Sequence, residues 1–310
     1  MLVPVSELLP ALRCPRKGGP LRLEDGVLVA PCGVRYPMID GIPVLVDFED
    51  SVLSESDTLA RAGETPIVRP RHRGPSALVK RLLSPEQEST RRNVRALVDL
   101  LPKDAGRPRM LVVGGGSIGK GMELLYDDPA IDLVAFDIYR SANTQILADA
   151  HSIPLPDGYF DAVVVQAVLE HVLEPWRVVD ELWRVLKEDG VVYAETPFMQ
   201  HVHEGAYDFT RFTESGHRYL FRRFSLIASG ASAGPGLQFM WAADYLARSL
   251  FRSRAAGKVA KLAVFWAQYL DRLIPERYAI DAASGVFFLG RKQARAVGPD
   301  EIIAHYGGAQ

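Results

Sequence analysis

The sequence predicts an α/β fold in which helices cover both faces of a mostly parallel sheet. Three observations carry this expectation. From Met110 onward, strand-like apolar runs alternate regularly with helix-like segments. The first run, MLVVG, opens directly into the glycine-rich turn GGGSIGKG. The second, LVAFD, ends on a carboxylate, Asp137.

In chain order, LRCPRKGGPLRL and GVLVAPCGVRYPMIDGIPVLV read as short strands broken by Gly and Pro where reversals fall. Residues 1–50 are therefore expected to form a small β-rich module. Residues 51–107 shift to Ser, Glu, Arg and Pro and read as a linker and leading helix. Within them IVRPRHRGPSALVKRLL is basic, and SPEQESTRRNVRALVDLL has helical apolar spacing. The main domain is expected over 108–292. After MLVVG and its turn come a helix through MELLYD, the strand LVAFD, a short helix, and the strands QILAD and DAVVVQ. A helix over PWRVVDELWRVLK is expected to end at Gly190 in a left-handed cap, before the fifth strand VVYAET. FSLIASGA and SGVFFLGRK read as the last two strands, separated by a helical insert over 233–283, with a tail over 293–310.

Composition narrows the function classes. Of 310 residues, 36 are basic and 38 acidic, a formal charge of −2, so nucleic acid is a disfavoured partner. Cys14 and Cys32 are the only cysteines, which excludes a disulfide scaffold at this size. MLVPVSELLPALRCP lacks a basic start followed by an apolar stretch, and no run is long enough to span a bilayer. A cytoplasmic setting is expected, peripheral to the inner face of the membrane if the insert contacts lipid.

The chemistry starts at Gly114, Gly116 and Gly119, a G-x-G-x-x-G pattern after a strand and before a helix. Glycine there permits a tight turn and lets backbone N–H groups approach a ligand. Asp137, 18 positions beyond Gly119, is placed to accept hydrogen bonds from ribose hydroxyls. These features serve nicotinamide, flavin and sulfonium cofactors alike. The discriminating stretch is LADAHSIPLPDGYFDAVVVQAVLEHV, which puts Asp149 at the end of the third strand, facing an adenine amino group.

Through these residues the sequence resembles the class I S-adenosylmethionine-dependent methyltransferases, in the branch with small-molecule and glycan-pathway enzymes. The resemblance covers about residues 108–230. It implies a Rossmann-like seven-stranded sheet with a reversed final hairpin, and S-adenosylmethionine as cofactor. It also implies that Gly114, Gly116 and Gly119 wrap the methionine part, Asp137 the ribose and Ile138 the adenine face. Asp149, Ala150 and His151 would line the adenine pocket, with Gln166 near the methionine part. The family usually has an acid two positions before the first glycine; here Val112 stands there. CPRK, PCG and YPMIDGIPVL, over about residues 12–46, resemble a small zinc-ribbon-like family that activates methyltransferases, free or fused. Lys17 and Val29 occupy the positions of its partner cysteines, so a metal-free module with Cys14 and Cys32 as reduced neighbours is expected.

On the acceptor side, methyl transfer to a hydroxyl or ammonium needs a proton removed. His171 in LEHV and His201, His203, Asp208 and Arg211 in MQHVHEGAYDFTRF are the candidates, the latter resembling a pattern of glycan-locus methyltransferases. No tight His-x-x-x-His pair is present, so no metal is expected. The expected acceptor is oxygen or nitrogen of a small molecule, a sugar or a lipid-linked intermediate. Two other readings stand beside it. Val112 and the lost cysteines favour a catalytically silent adapter. The fused module and basic linker suggest tRNA methylation, although TPFM is no Asn/Asp-Pro-Pro-aromatic motif. In the insert, GLQFMWAADYLARSLF and VAKLAVFWAQYLDRLI are apolar, and Arg248, Arg252, Arg254, Lys258 and Lys261 fall in a stretch without acids. That pattern suits a lid, a homodimer face or contact with an anionic membrane.

Overall fold

The computed structural model describes residues 1–65, 83, 87–103 and 106–310. The basic run 67–82 lies outside them.

Among the described residues, twelve strands form two sheets. Strands β1 (Arg22–Glu24), β2 (Val27–Val29) and β3 (Arg35–Tyr36) make a small antiparallel sheet. The large sheet takes β4 (Met38–Ile39), β5 (Ile42–Leu45), β6 (Arg109–Val113), β7 (Asp132–Asp137), β8 (Ile146–Ala148) and β9 (Phe160–Gln166). It is completed by β10 (Leu186–Pro197), β11 (Phe224–Ala233) and β12 (Gly285–Lys292). Its order is β11-β12-β10-β9-β6-β7-β8-β5-β4. The expected seven strands are all present. Strand β12 runs antiparallel between β10 and β11, which is the reversed hairpin.

The apolar runs form strands because both sheet faces are covered. Leu111, Val113, Val163 and Val165 enter one buried cluster, while Met110, Val112, Ala162 and Val164 enter the opposite one. Among the helices are α1 (Glu88–Asp99), α2 (Glu123–Asp127), α3 (Pro175–Val185) and α4 (Glu214–Leu220). Pro175 starts α3 without losing a needed N–H, and Val178, Val179, Leu182 and Val185 form its buried stripe. The insert holds α5 (Pro235–Phe251), α6 (Arg254–Ala263), a 3-10 segment over Phe265–Leu273 and α7 (Glu276–Ala279).

Four expectations need correction. Strands β1–β3 form a small β-rich sheet at the N-terminal side, but β5 pairs in parallel with β8, so the large sheet has nine strands rather than seven. Leu8, Leu12, Leu28, Tyr36 and Leu45 share one buried cluster with Leu111 and Phe136. Helix α3 stops at Val185, not Gly190, because Leu186 turns extended and is itself buried. The left-handed residue is Asp189 (φ 63°). Gly190 serves close packing instead: a Cβ there would meet Leu186 Cδ2 and the Lys187 carbonyl at 2.9 Å. No helix joins β7 to β8; the Gln145 side chain there accepts from Ala135 N at 2.8 Å and donates to the Val3 carbonyl at 3.0 Å. Finally, the second apolar stretch of the insert breaks at Val264 into α6 and the 3-10 segment.

Cys14 and Cys32 are free thiols with Sγ atoms 4.0 Å apart, and the Cys14 sulfur lies 3.2 Å from the Tyr36 hydroxyl.

Candidate active site

Strand β6 leaves the sheet where the chain order reverses, with β7 and β8 on one side and β9 on the other. A crevice beyond the carboxyl ends of the strands is expected at such a point. A cavity of about 360 Å³ lies there.

The glycine-rich turn forms its rim. Gly114 adopts φ +76°, which glycine takes without strain, and a side chain there would strike Val168. Gly114 and Gly115 donate to the Phe136 carbonyl at 3.0 and 2.9 Å. A Cβ at Gly116 would meet Tyr139 and the Asp137 carboxylate, and one at Gly119 would meet Gln166. Asp137 accepts from Gly116 N and Ile138 N, each at 2.7 Å, so the carboxylate also holds the turn together. Gly114, Gly119, Asp137 and Ile138 line the cavity; Gly116 does not. Val112 contributes to its apolar floor.

The far end is built by Asp149, Ala150 and His151. His151 Nδ1 lies 2.6 Å from Asp149 Oδ1, and its Nε2 accepts from Glu174 N at 3.2 Å. The accepting Nε2 assigns the proton to Nδ1, which donates to the aspartate. Ser51 donates to Asp149 Oδ2 at 2.5 Å. Burial pushes the Asp149 carboxyl up, but the bonds from His151 and Ser51 outweigh it and hold it below the ordinary aspartate value. Val52, Leu53 and Thr65 complete this wall from the N-terminal side. Nothing in their local sequence marked them, because their role depends on the β5–β8 pairing.

Gln166, at the end of β9, donates to Glu195 Oε2 at 2.5 Å. Glu195 also accepts from Thr90 at 2.6 Å and Tyr193 at 2.5 Å. Burial raises its carboxyl above the usual range despite these donors. Ala167 follows with φ 54°, strained backbone for a non-glycine residue, and lines the cavity.

Of the acceptor-side candidates, His171 and His203 line the cavity and face each other, ring centroids 4.9 Å apart. His171 Nδ1 lies 2.6 Å from the Tyr207 carbonyl. A carbonyl only accepts, so Nδ1 carries the proton and Nε2 presents a lone pair. Burial lowers the His171 pKa, which keeps that lone pair available at neutral pH. His201 lies outside the cavity, stacked on Tyr245 at 4.3 Å, with its pKa lowered by burial. Asp208 and Arg211 are also outside the cavity lining. Arg211 bonds the Asp208 carboxylate and the Gln200 carbonyl (2.9 Å), tying the 200–211 loop to itself. Burial opposes ionisation of Asp208, but Arg211 and the His203 N–H overcome it and bring its carboxyl down to about 2. Sequence reasoning missed Glu170. It is 1% exposed, burial lifts its carboxyl to about 8, and neither oxygen has a hydrogen-bond partner among the described residues.

Residues 113–194 match the family model described as "Methyltransferase domain". S-adenosylmethionine, the cofactor expected from the sequence, is the one such a domain uses. A protein named demethylmenaquinone methyltransferase from Renibacterium salmoninarum is 34% identical over 172 residues, 52% of this chain and 66% of that protein. The chain thus spans just under two thirds of that relative's length. Among solved structures, a phosphoethanolamine N-methyltransferase from Haemonchus contortus with S-adenosylmethionine is 14% identical. It covers 81% of this chain and 62% of its own, at TM-score 0.45. A chain of the Haloferax volcanii complex containing the Trm112 methyltransferase activator is 16% identical, covering 72% and 97%, at TM-score 0.44. At these scores neither adds to the fold that the strand order establishes.

Proposed function

We propose that the chain transfers a methyl group from S-adenosylmethionine to an oxygen or nitrogen of a small, apolar or lipid-linked acceptor. The observation that carries this reading is one cavity joining the glycine turn, Asp137 and Asp149 at one side to His171 and His203 at the other. Gly114 and Gly119 leave room for the methionine part of the cofactor, Asp137 meets ribose hydroxyls, and Ile138 with Ala150 encloses the adenine. Asp149, kept ionised by His151 and Ser51, accepts from an exocyclic amine. Bound there, the cofactor supplies an electrophilic methyl group on a sulfonium. The acceptor's polar end meets His171 and His203, whose side of the cavity takes its proton. The low-polarity floor around Val112 and Val164 excludes water from the reacting atoms.

The apolar acceptor is supported by the insert. Tyr245 of α5 donates to the Val202 carbonyl, beside the His203 loop. Leu246, Leu250, Val259 and Leu273 are 69–78% exposed, with Arg252, Arg254 and Lys258 exposed among them. Exposed apolar side chains interspersed along the insert with exposed cations suit an anionic bilayer from which an apolar acceptor is drawn. The name of the Renibacterium salmoninarum relative, demethylmenaquinone methyltransferase, points the same way. No helix among the described residues is long and apolar enough to cross a membrane. The test is incubation with methyl-labelled S-adenosylmethionine and either a lipid extract or an aqueous metabolite extract, read by mass spectrometry. Label in the lipid fraction is expected. Label only in the aqueous fraction overturns the acceptor class, and tighter binding of NAD than of S-adenosylhomocysteine overturns the cofactor.

A further inference from the structure

Glu170, His171 and His203 meet in a way that hydrogen bonding within the chain does not explain. One donor atom of each lies within 4.8 Å of the other two. Glu170 Oε1 is 3.6 Å from His171 Nε2 and 3.8 Å from His203 Nε2. Among the described residues, nothing hydrogen-bonds either oxygen of this buried carboxyl group, an arrangement costly for a buried polar group unless something else satisfies it.

The rear of each ring is already engaged. His171 Nδ1 donates to the Tyr207 carbonyl at 2.6 Å, and His203 Nδ1 lies 3.3 Å from Asp208 Oδ2. Asp208 is in turn held by Arg211, and also accepts from His203 N at 2.8 Å. Metal-bound histidines are oriented in this way, the far nitrogen tied to a carbonyl or carboxylate and the near one left as a lone pair. A tetrahedral ion with bonds of about 2.0–2.1 Å needs donors roughly 3.3–3.5 Å apart; the two Glu170–histidine separations close on it with shifts of a few tenths of an ångström, and the two imidazoles, within 4.8 Å of each other, close by a rotation of the exposed His203 side chain.

We propose that Glu170, His171 and His203 bind one divalent transition cation, with its open positions toward the cavity. Two imidazoles and one carboxylate suit zinc or iron(II) and leave room for an exogenous ligand. That ligand is an oxygen or nitrogen of the acceptor; occupying both Nε2 lone pairs, the ion takes over from them the task of making the acceptor's proton easy to lose. This last point rests on the methyltransferase reading, whereas the ion site itself does not. The ion also accounts for the Asp208–Arg211 pair, since both are positioning residues for His203.

The test uses the full chain, stripped with chelator and titrated with zinc(II), with cobalt(II) as a spectroscopic probe. One equivalent of zinc is expected, and cobalt should give visible bands of a tetrahedral or five-coordinate nitrogen–oxygen site. Glu170→Gln and His203→Ala should each weaken zinc binding at least 100-fold, and Asp208→Asn by about 10–100-fold. His203 is exposed, so its alanine variant keeps the test valid if Glu170→Gln unfolds. S-adenosylhomocysteine binding is measured on the same samples and should survive in His203→Ala. Absence of zinc binding, or binding that persists in His203→Ala and vanishes in Cys14→Ser/Cys32→Ser, overturns the site. Zinc binding without S-adenosylhomocysteine binding would leave the site standing and remove the methyltransferase reading instead.

Discussion

Asp137 does two jobs with one carboxylate, holding the N–H groups of Gly116 and Ile138 while lining the cavity. Asp137→Ala should therefore weaken S-adenosylhomocysteine binding by about 1.5–3 kcal/mol by calorimetry, through lost charge-assisted bonds. Asp137→Asn retains one acceptor oxygen and should lose less. His217 of α4 is a different case. It is 1% exposed, packed edge-on against Phe221 at 5.0 Å, and burial brings its pKa down to about 3. In the unfolded chain it titrates near 6.5, so between pH 6.5 and about 3 the unfolded state binds the extra proton. Its contribution to stability is present above 6.5 and is lost as pH falls, by about 1.4 kcal/mol per pH unit. His217→Leu should flatten the acid limb of the stability curve in urea melts at pH 7, 6 and 5. An unchanged slope would refute the assignment.

Among the elements, the insert has the clearest consequence. Much of its polar bonding is internal: Asp271 accepts from Gly236 N and Leu237 N at 2.6 and 3.0 Å, capping α5, while Asp244 pairs with Arg248 at 3.3 Å. Its outer apolar side chains, Leu250 and Val259 among them, are exposed. Leu250→Asp/Val259→Asp should abolish co-sedimentation with anionic vesicles and leave S-adenosylhomocysteine binding intact. Salt should weaken the wild-type association. Wild-type protein that ignores vesicles and forms a stable dimer would make this face a subunit interface. The sheet strands and the insert were readable from the sequence because each is a continuous apolar run whose length and period speak for themselves. The pairing of His171 with His203 was not readable. They stand 32 positions apart, joined by a loop path set by Arg211 and by the Tyr207 and Glu170 carbonyls. For the same reason His201, a near neighbour in sequence, faces Tyr245 instead.

At the scale of the whole molecule, the N-terminal residues belong to the site as well as to the sheet. The stretch IPVL has the apolar character of a strand in any context; only its partner, β8, makes it an extension of the main sheet. Removing residues 1–53 should expose the β8 edge, free Asp149 from Ser51 and open the cavity wall at Val52 and Leu53. A lower Tm and at least a tenfold loss in S-adenosylhomocysteine affinity are expected by scanning and titration calorimetry. A truncated chain that binds like the full one would restore the picture of an independent module.

The same pairing fixes when the protein becomes complete as it is made. Ser51 waits for a partner 98 residues further along, and the Met1 amino group for one 130 residues along, the Ile131 carbonyl at 2.6 Å. At about 5–20 residues per second, the first-made segment spends several seconds without its sheet. Strand β5 meanwhile stays unpaired, an open edge that can pair with other chains until β8 is made. Pairing of β5 with β8 closes that edge and brings Val52 and Leu53 to the cavity wall in one event, so a nascent chain completes this wall only as its exposed edge disappears.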